Sequence, residues 1–184
     1  MKKGQFFLLG ALFFMLMFYL AVSAHISRPF AGSMLKEDVR NLFENVKDEF
    51  PRALNFGLNS SKPVSTLINF TNFVMNHTKS RDADFAALWI LTQNVSSDLN
   101  VTVGNFLGYS TTIMLNVSGN EKEIYVENGK INSTIFLSPP SEFGMNVSFN
   151  TTEENLLLEK YKANLYLFLE MRRGGDRIRG EIKA

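Results

Sequence analysis

From Phe6 to Ala24 the chain runs for 19 residues without a charge, nearly all of them apolar. An α-helix needs about 20 such residues to cross a bilayer core. Lys2 and Lys3 precede it and no further Lys or Arg occurs before Arg28, which places the N-terminus on the cytoplasmic side. Residues 1–28 are therefore expected to form a transmembrane anchor in the lipid bilayer, with the C-terminal part of the chain extracytoplasmic. A cleaved secretory signal ending at Val22-Ser23-Ala24 is the alternative, although its apolar core usually spans only about 7–15 residues. Either way the remainder of the chain is exported.

That remainder is dense in N-x-[ST] sequons. They begin at Asn59, Asn69, Asn76, Asn94, Asn100, Asn116, Asn132, Asn146 and Asn150. Random pairing of the 18 Asn with the 25 Ser and Thr would produce about 2.4 in 184 residues, so nine is a near fourfold excess. All nine lie between Asn59 and Thr152, inside the exported part. They are expected to carry N-linked glycans, which must sit on solvent.

The spacing of the sequons fits that demand. In Leu99-Asn100-Val101-Thr102-Val103, Leu115-Asn116-Val117-Ser118 and Met145-Asn146-Val147-Ser148-Phe149-Asn150, apolar residues alternate with sequon residues. Side chains two apart share a strand face, so each Asn and its hydroxyl partner are expected outward with Val inward. Asn69 and Asn76 fall in a segment of helical period, on one face with Asn72 and opposite Leu67, Phe70 and Val74. Residues 59–152 hold 5 basic and 7 acidic side chains, about 13%, against about 25% in an average globular domain. Glycans would keep so charge-poor a surface soluble. The absence of cysteine excludes disulfides, thiolate metal sites and thiol nucleophiles.

Lys2-Lys3-Gly4-Gln5 followed by an apolar helix resembles the class III signal segment of archaeal type IV pilin-like proteins. The resemblance implies cleavage between Gly4 and Gln5, with the helix then serving as both anchor and filament core. Phe7, Leu8 and Leu9 stand where many such segments carry Ser and Glu. N-glycosylation without disulfides is likewise similar to archaeal surface proteins.

Downstream, Ser33 can cap a helix in which Leu35, Val39, Leu42, Val46 and Phe50 recur at helical spacing, with Pro51 ending it, kinking it or opening a short further turn. After a polar linker at 59–63, a second helix is predicted from Val64 to Thr78. Together these make a helical stalk over 29–80. From about 81 onward the period changes, and short strands are predicted at 89–91, 99–103, 111–117, 123–127, 131–137, 145–151, 164–172 and 178–183. The first could instead belong to a helix over 85–91. Asn128-Gly129 and Gly174-Gly175 are two-residue hairpin signals. The predicted class is α+β: a transmembrane helix and helical stalk followed by an antiparallel β-sandwich head at 81–184.

No nucleotide-binding, hydrolase or metalloprotease motif occurs, and His25 and His77 have no partner at ligand spacing. Asp82/Asp84 and Glu153/Glu154 fall in expected loops. The near-neutral charge of +1 argues against nucleic acid as a partner. No catalytic, metal or cofactor site is expected, and no enzymatic activity. Arg172, Arg173, Arg177, Arg179 and Lys183 against Glu170, Asp176 and Glu181 read as a solvated, charge-protected sheet edge. The expected function is that of a membrane-anchored cell-surface structural protein, with a pilin-like filament subunit as one form. The alternative is an extracellular binding module, an adhesin or an accessory subunit of a membrane complex. The sequon-free first helix (34–50) and C-terminal hairpin are the expected contacts for self-association or a surface-protein partner.

Overall fold

The apolar residues of the first helix recur every three to four positions, and they have a sheet to lie against. The computed structural model describes residues 38–184, of which 42–184 form one unit. The first helix, α1 (described over 38–59), continues past Pro51 and buries Leu54 as well as Phe43, Val46 and Phe50. A three-residue turn leads into α2 (Pro63–Lys79), whose Pro at the first turn costs no hydrogen bond. Gly57 is needed at this corner: a Cβ there would lie 2.7 Å from Pro63 Cα. Helix α2 buries Leu67, Thr71, Val74 and Thr78 along one stripe. The two threonine hydroxyls donate back to Leu67 O and Val74 O, which satisfies them in an apolar setting.

Nine strands follow: β1 (Asp84–Val95), β2 (Asp98–Phe106), β3 (Thr111–Val117), β4 (Asn120–Val126), β5 (Lys130–Phe136), β6 (Glu142–Phe149), β7 (Thr152–Glu159), β8 (Asn164–Arg173) and β9 (Asp176–Lys183). They form two antiparallel sheets, β5-β2-β1-β8-β9 and β4-β3-β6-β7. The α+β class with an antiparallel two-sheet sandwich is as expected. Between the sheets pack Leu88, Ile90, Val101, Val103, Ile113, Leu115, Val147, Tyr166 and Phe168, among others. Phe85, Ala87, Trp89, Leu91, Leu167 and Leu169 point the other way and are also buried. The helices cover that second face. Phe50 stacks on Phe85 at 6.4 Å, and a Cβ on Gly180 of β9 would come within 3.0 Å of the Phe43 ring.

Coverage on both faces explains the unbroken apolar runs of β1 and β8, which do not alternate as a half-buried strand does. It also settles the segment at 85–91 as strand. Residues 42–79 are accordingly a third layer on the five-stranded sheet, where a stalk had been expected. The expected anchor at 1–28 and the Gly4–Gln5 cleavage position lie outside the described residues. Among the described residues no helix is long and apolar enough to cross a membrane.

Two connections differ from the sequence expectation. Asn128-Gly129 does not close a hairpin: β4 pairs with β3 and β5 with β2, so this turn carries the chain from one sheet to the other. The Asn-Gly pair supplies the positive φ of 72° at Gly129, which a tight turn of either destination requires. Strand β7, which the sequence reading left out, pairs with β6 across Asn150-Thr151. Its Glu153, Glu154 and Asn155 obscure the alternation because they lie on an edge strand facing solvent. Gly174-Gly175 does close the β8–β9 hairpin, with φ of 55° and 92°.

Candidate functional site: the sequon surface and an arginine-framed cleft

The nine sequon asparagines are distributed over α1, α2 and both sheets, and none is buried. Seven are exposed, while Asn100 and Asn116 are half-buried. Their alternation partners Val101, Val117 and Val147 lie in the core, as the period of two demands. The hydroxyl residues do not all follow the Asn outward. Thr102 is 4% exposed because the outer face of β2 lies on the helix-covered side of its sheet, and Thr71 and Thr78 are buried on α2. Register brings some sequons together. Asn116 and Asn146 are direct cross-strand partners, and Asn146 is in turn opposite Asn155. Asn116 also caps the β3–β4 turn, accepting from Gly119 N at 2.8 Å and donating to Glu121 Oε1 at 3.1 Å.

The long sides of the sandwich are closed by side chains. On one side Lys122 Nζ of β4 donates to Ile135 O of β5 at 2.6 Å, and Asn132 Nδ2 of β5 donates to Tyr125 O of β4 at 2.9 Å. On the other, Lys183 of β9 donates to Glu154 Oε2 of β7 at 2.7 Å. That bond holds the Glu154 carboxyl below the usual carboxylate range, whereas burial, with the neighbouring Glu154, pushes Glu181 above it. Burial also raises the Tyr166 hydroxyl, which faces the same two carboxylates. The Glu181–Glu154 hydrogen bond is present below the ordinary carboxylate range and is lost as pH rises through the raised Glu181 value. Glu154 runs the opposite way, its salt link being lost only as pH falls through its lowered value. Glu181→Gln keeps a donor toward Glu154 at all pH, so it should raise the melting temperature at pH 8 and leave it unchanged at pH 4. A melting curve shifted equally at both pH values would refute the assignment.

At one end of the sandwich, where the chain crosses between sheets, Asn105 holds the crossings together. Its Nδ2 donates to Tyr109 O at 2.8 Å and Val126 O at 2.9 Å, its Oδ1 accepts from Leu107 N at 3.0 Å, and its backbone carbonyl accepts from Gly129 N. Asn128 Oδ1 accepts from Gly108 N at 2.8 Å. These bonds fix the β2–β3 turn and aim Tyr109 across the gap between the sheets. Beside it, Asn150 Nδ2 donates to the Tyr109 hydroxyl at 2.7 Å.

Opposite these residues stands the β8–β9 hairpin. Glu170, its side chain 5% exposed, accepts from Arg172 Nε, from Arg177 Nη2 and, at 2.7 Å, from Arg179 Nε. Arg179 also lies over the Phe168 ring. Between hairpin and turns is a cleft of about 100 Å³ floored by Leu107, Phe149 and Phe168. Sequence reading took this charge run for a solvated edge and missed the cleft. The burial of Glu170 depends on which sheet lies beneath it, and no local pattern carries that. The expected interaction faces are also partly taken up internally, since Phe43 of α1 packs on Gly180 of the hairpin. His77 stacks on Phe73, and no group of metal-binding side chains occurs among the described residues. No protein-family model and no curated protein sequence matches the chain.

Proposed function

We propose that the protein is a membrane-anchored, N-glycosylated cell-surface structural protein whose three-layer head is held outside the cytoplasm by its apolar N-terminal segment. The observation that carries this reading is the placement of the nine sequons. A chain with a near fourfold excess of sequons buries none of their asparagines, and the stretch 59–152 that bears them is poor in charge. Sugar on Asn59, Asn69, Asn76, Asn94 and Asn146 would project from α1, α2 and both sheets. The sugar attaches through Nδ2 and leaves one N–H, enough for Asn132 to keep its bond to Tyr125 O.

The test is mass spectrometry of protein isolated from the membranes of its native host. Glycopeptides should cover several of the nine sites, and the N-terminus should start at Gln5 or retain the apolar segment. Pelletable polymers that dissociate only when the N-terminal segment is removed would identify the filament form. An unglycosylated mass close to the 20.9 kDa of the sequence, recovered from the soluble fraction, would overturn the reading.

The arginine-framed cleft favours a second reading, an extracellular binding module. Convergent polar groups over an apolar floor are the usual makeup of a ligand site. The two readings are compatible, because an anchored head can also bind.

A further inference from the structure

We propose that the cleft between the β8–β9 hairpin and the Tyr109 and Asn150 turns binds a carboxylate on a short aliphatic stem. This deepens the binding-module reading and rests on it. A single bidentate arginine suffices to pair one buried carboxylate. Here three converge on Glu170, and each commits one nitrogen to it. The side chains of Arg172, Arg177 and Arg179 remain 57%, 44% and 51% exposed, so the outer edges of their planar forks face solvent at the mouth. Glu170 thus holds the guanidinium groups in place, and Phe168 stacks against one of them. Asp82, Asp84 and Asp176 line a neighbouring depression that shares Arg172 and Arg177, with Asp84 the cross-strand partner of Arg172. Within the cleft itself the charged lining is one carboxylate against three guanidinium groups.

The opposite wall adds a donor. Tyr109 lines this wall, and because its oxygen accepts from Asn150 Nδ2, its own proton is left to donate to another group. A planar oxyanion in the cleft would have the guanidinium groups on one wall and the Tyr109 hydroxyl on the other. The apolar floor of the cleft suits a stem of two or three methylenes. A compact, strongly hydrated phosphate would leave the floor unfilled. The same carboxylate chemistry is presented by a free short-chain acid and by a glutamate side chain on a partner polypeptide.

Arginine side-chain Nε–H resonances of the folded protein, titrated at constant ionic strength, test the assignment. The probes are sodium butyrate, a glutamate-centred peptide, inorganic phosphate and chloride. Saturable shifts at Arg172, Arg177 and Arg179 with butyrate are expected, and Arg177→Gln at the exposed hairpin should weaken them about tenfold or more. Asn150→Ala should weaken them less, with the fold unchanged. Saturation by the peptide but not by butyrate supports the cleft and identifies the carboxylate as one carried by a polypeptide. An equal response to phosphate and butyrate overturns the carboxylate assignment while leaving an anion-binding module. No saturable response to any probe overturns both the inference and the binding-module reading, and leaves the glycosylated surface protein standing.

Discussion

Phe50→Ala should cost about 3–5 kcal/mol of unfolding free energy, the range for removing a fully buried aromatic side chain. Phe50 is completely buried, meets Phe70 edge-on at 4.8 Å and stacks on Phe85 at 6.4 Å. It therefore joins α1 both to α2 and to the five-stranded sheet. Truncation would leave a cavity at a place where all three elements meet. Against a total stability of about 5–15 kcal/mol for an ordinary domain, the loss is large. Equilibrium urea unfolding of the folded head should show a much lower midpoint with an unchanged slope. Phe56→Ala, on the same helix but 70% exposed, serves as the control and should stay within about 0.5 kcal/mol. If the two substitutions had equally small effects, α1 would be a detachable stalk after all, and the three-layer description would fail.

Asn105→Ala should be nearly as damaging, at about 3–5 kcal/mol. The substitution releases Tyr109 O to solvent but strands the buried Val126 O and Leu107 N, and each buried group left unsatisfied costs about 1–3 kcal/mol. Asn105→Asp keeps the shape and the bond from Leu107 N but turns an oxygen toward two carbonyls. It should therefore be no milder than alanine. Calorimetric unfolding of both variants gives the comparison, and an aspartate variant as stable as the parent would refute the network. A second consequence is local. Tyr109 loses the tether on its carbonyl, so butyrate shifts at the arginine-framed cleft should weaken in Asn105→Ala even at temperatures where the head remains folded. Stability loss without weaker binding would mean that the turn holds its place by other contacts.

The sequence alone was sufficient wherever the decisive physics is local. The period of two placed Val101, Val117 and Val147 inside and their sequon asparagines on the surface, because a strand turns alternate side chains to opposite faces. Gly174-Gly175 declared its hairpin through the positive φ both residues adopt, and the stripe of Leu67 and Val74 declared α2. What required the tertiary structure was every question of which surface covers which. Asn128-Gly129 encodes a tight turn but not the sheet its outgoing strand will join, since pairing with β2 or β4 is settled by distant residues. The double burial of β1, the helices as a layer and the burial of Glu170 beneath three arginines all follow from packing across the chain. For the same reason Thr102 is buried although its sequon phase points it outward. The apolar run from Phe6 to Ala24 lies outside the described residues, and the expectation for its solvent comes from its length and lack of charge without reference to any other residue.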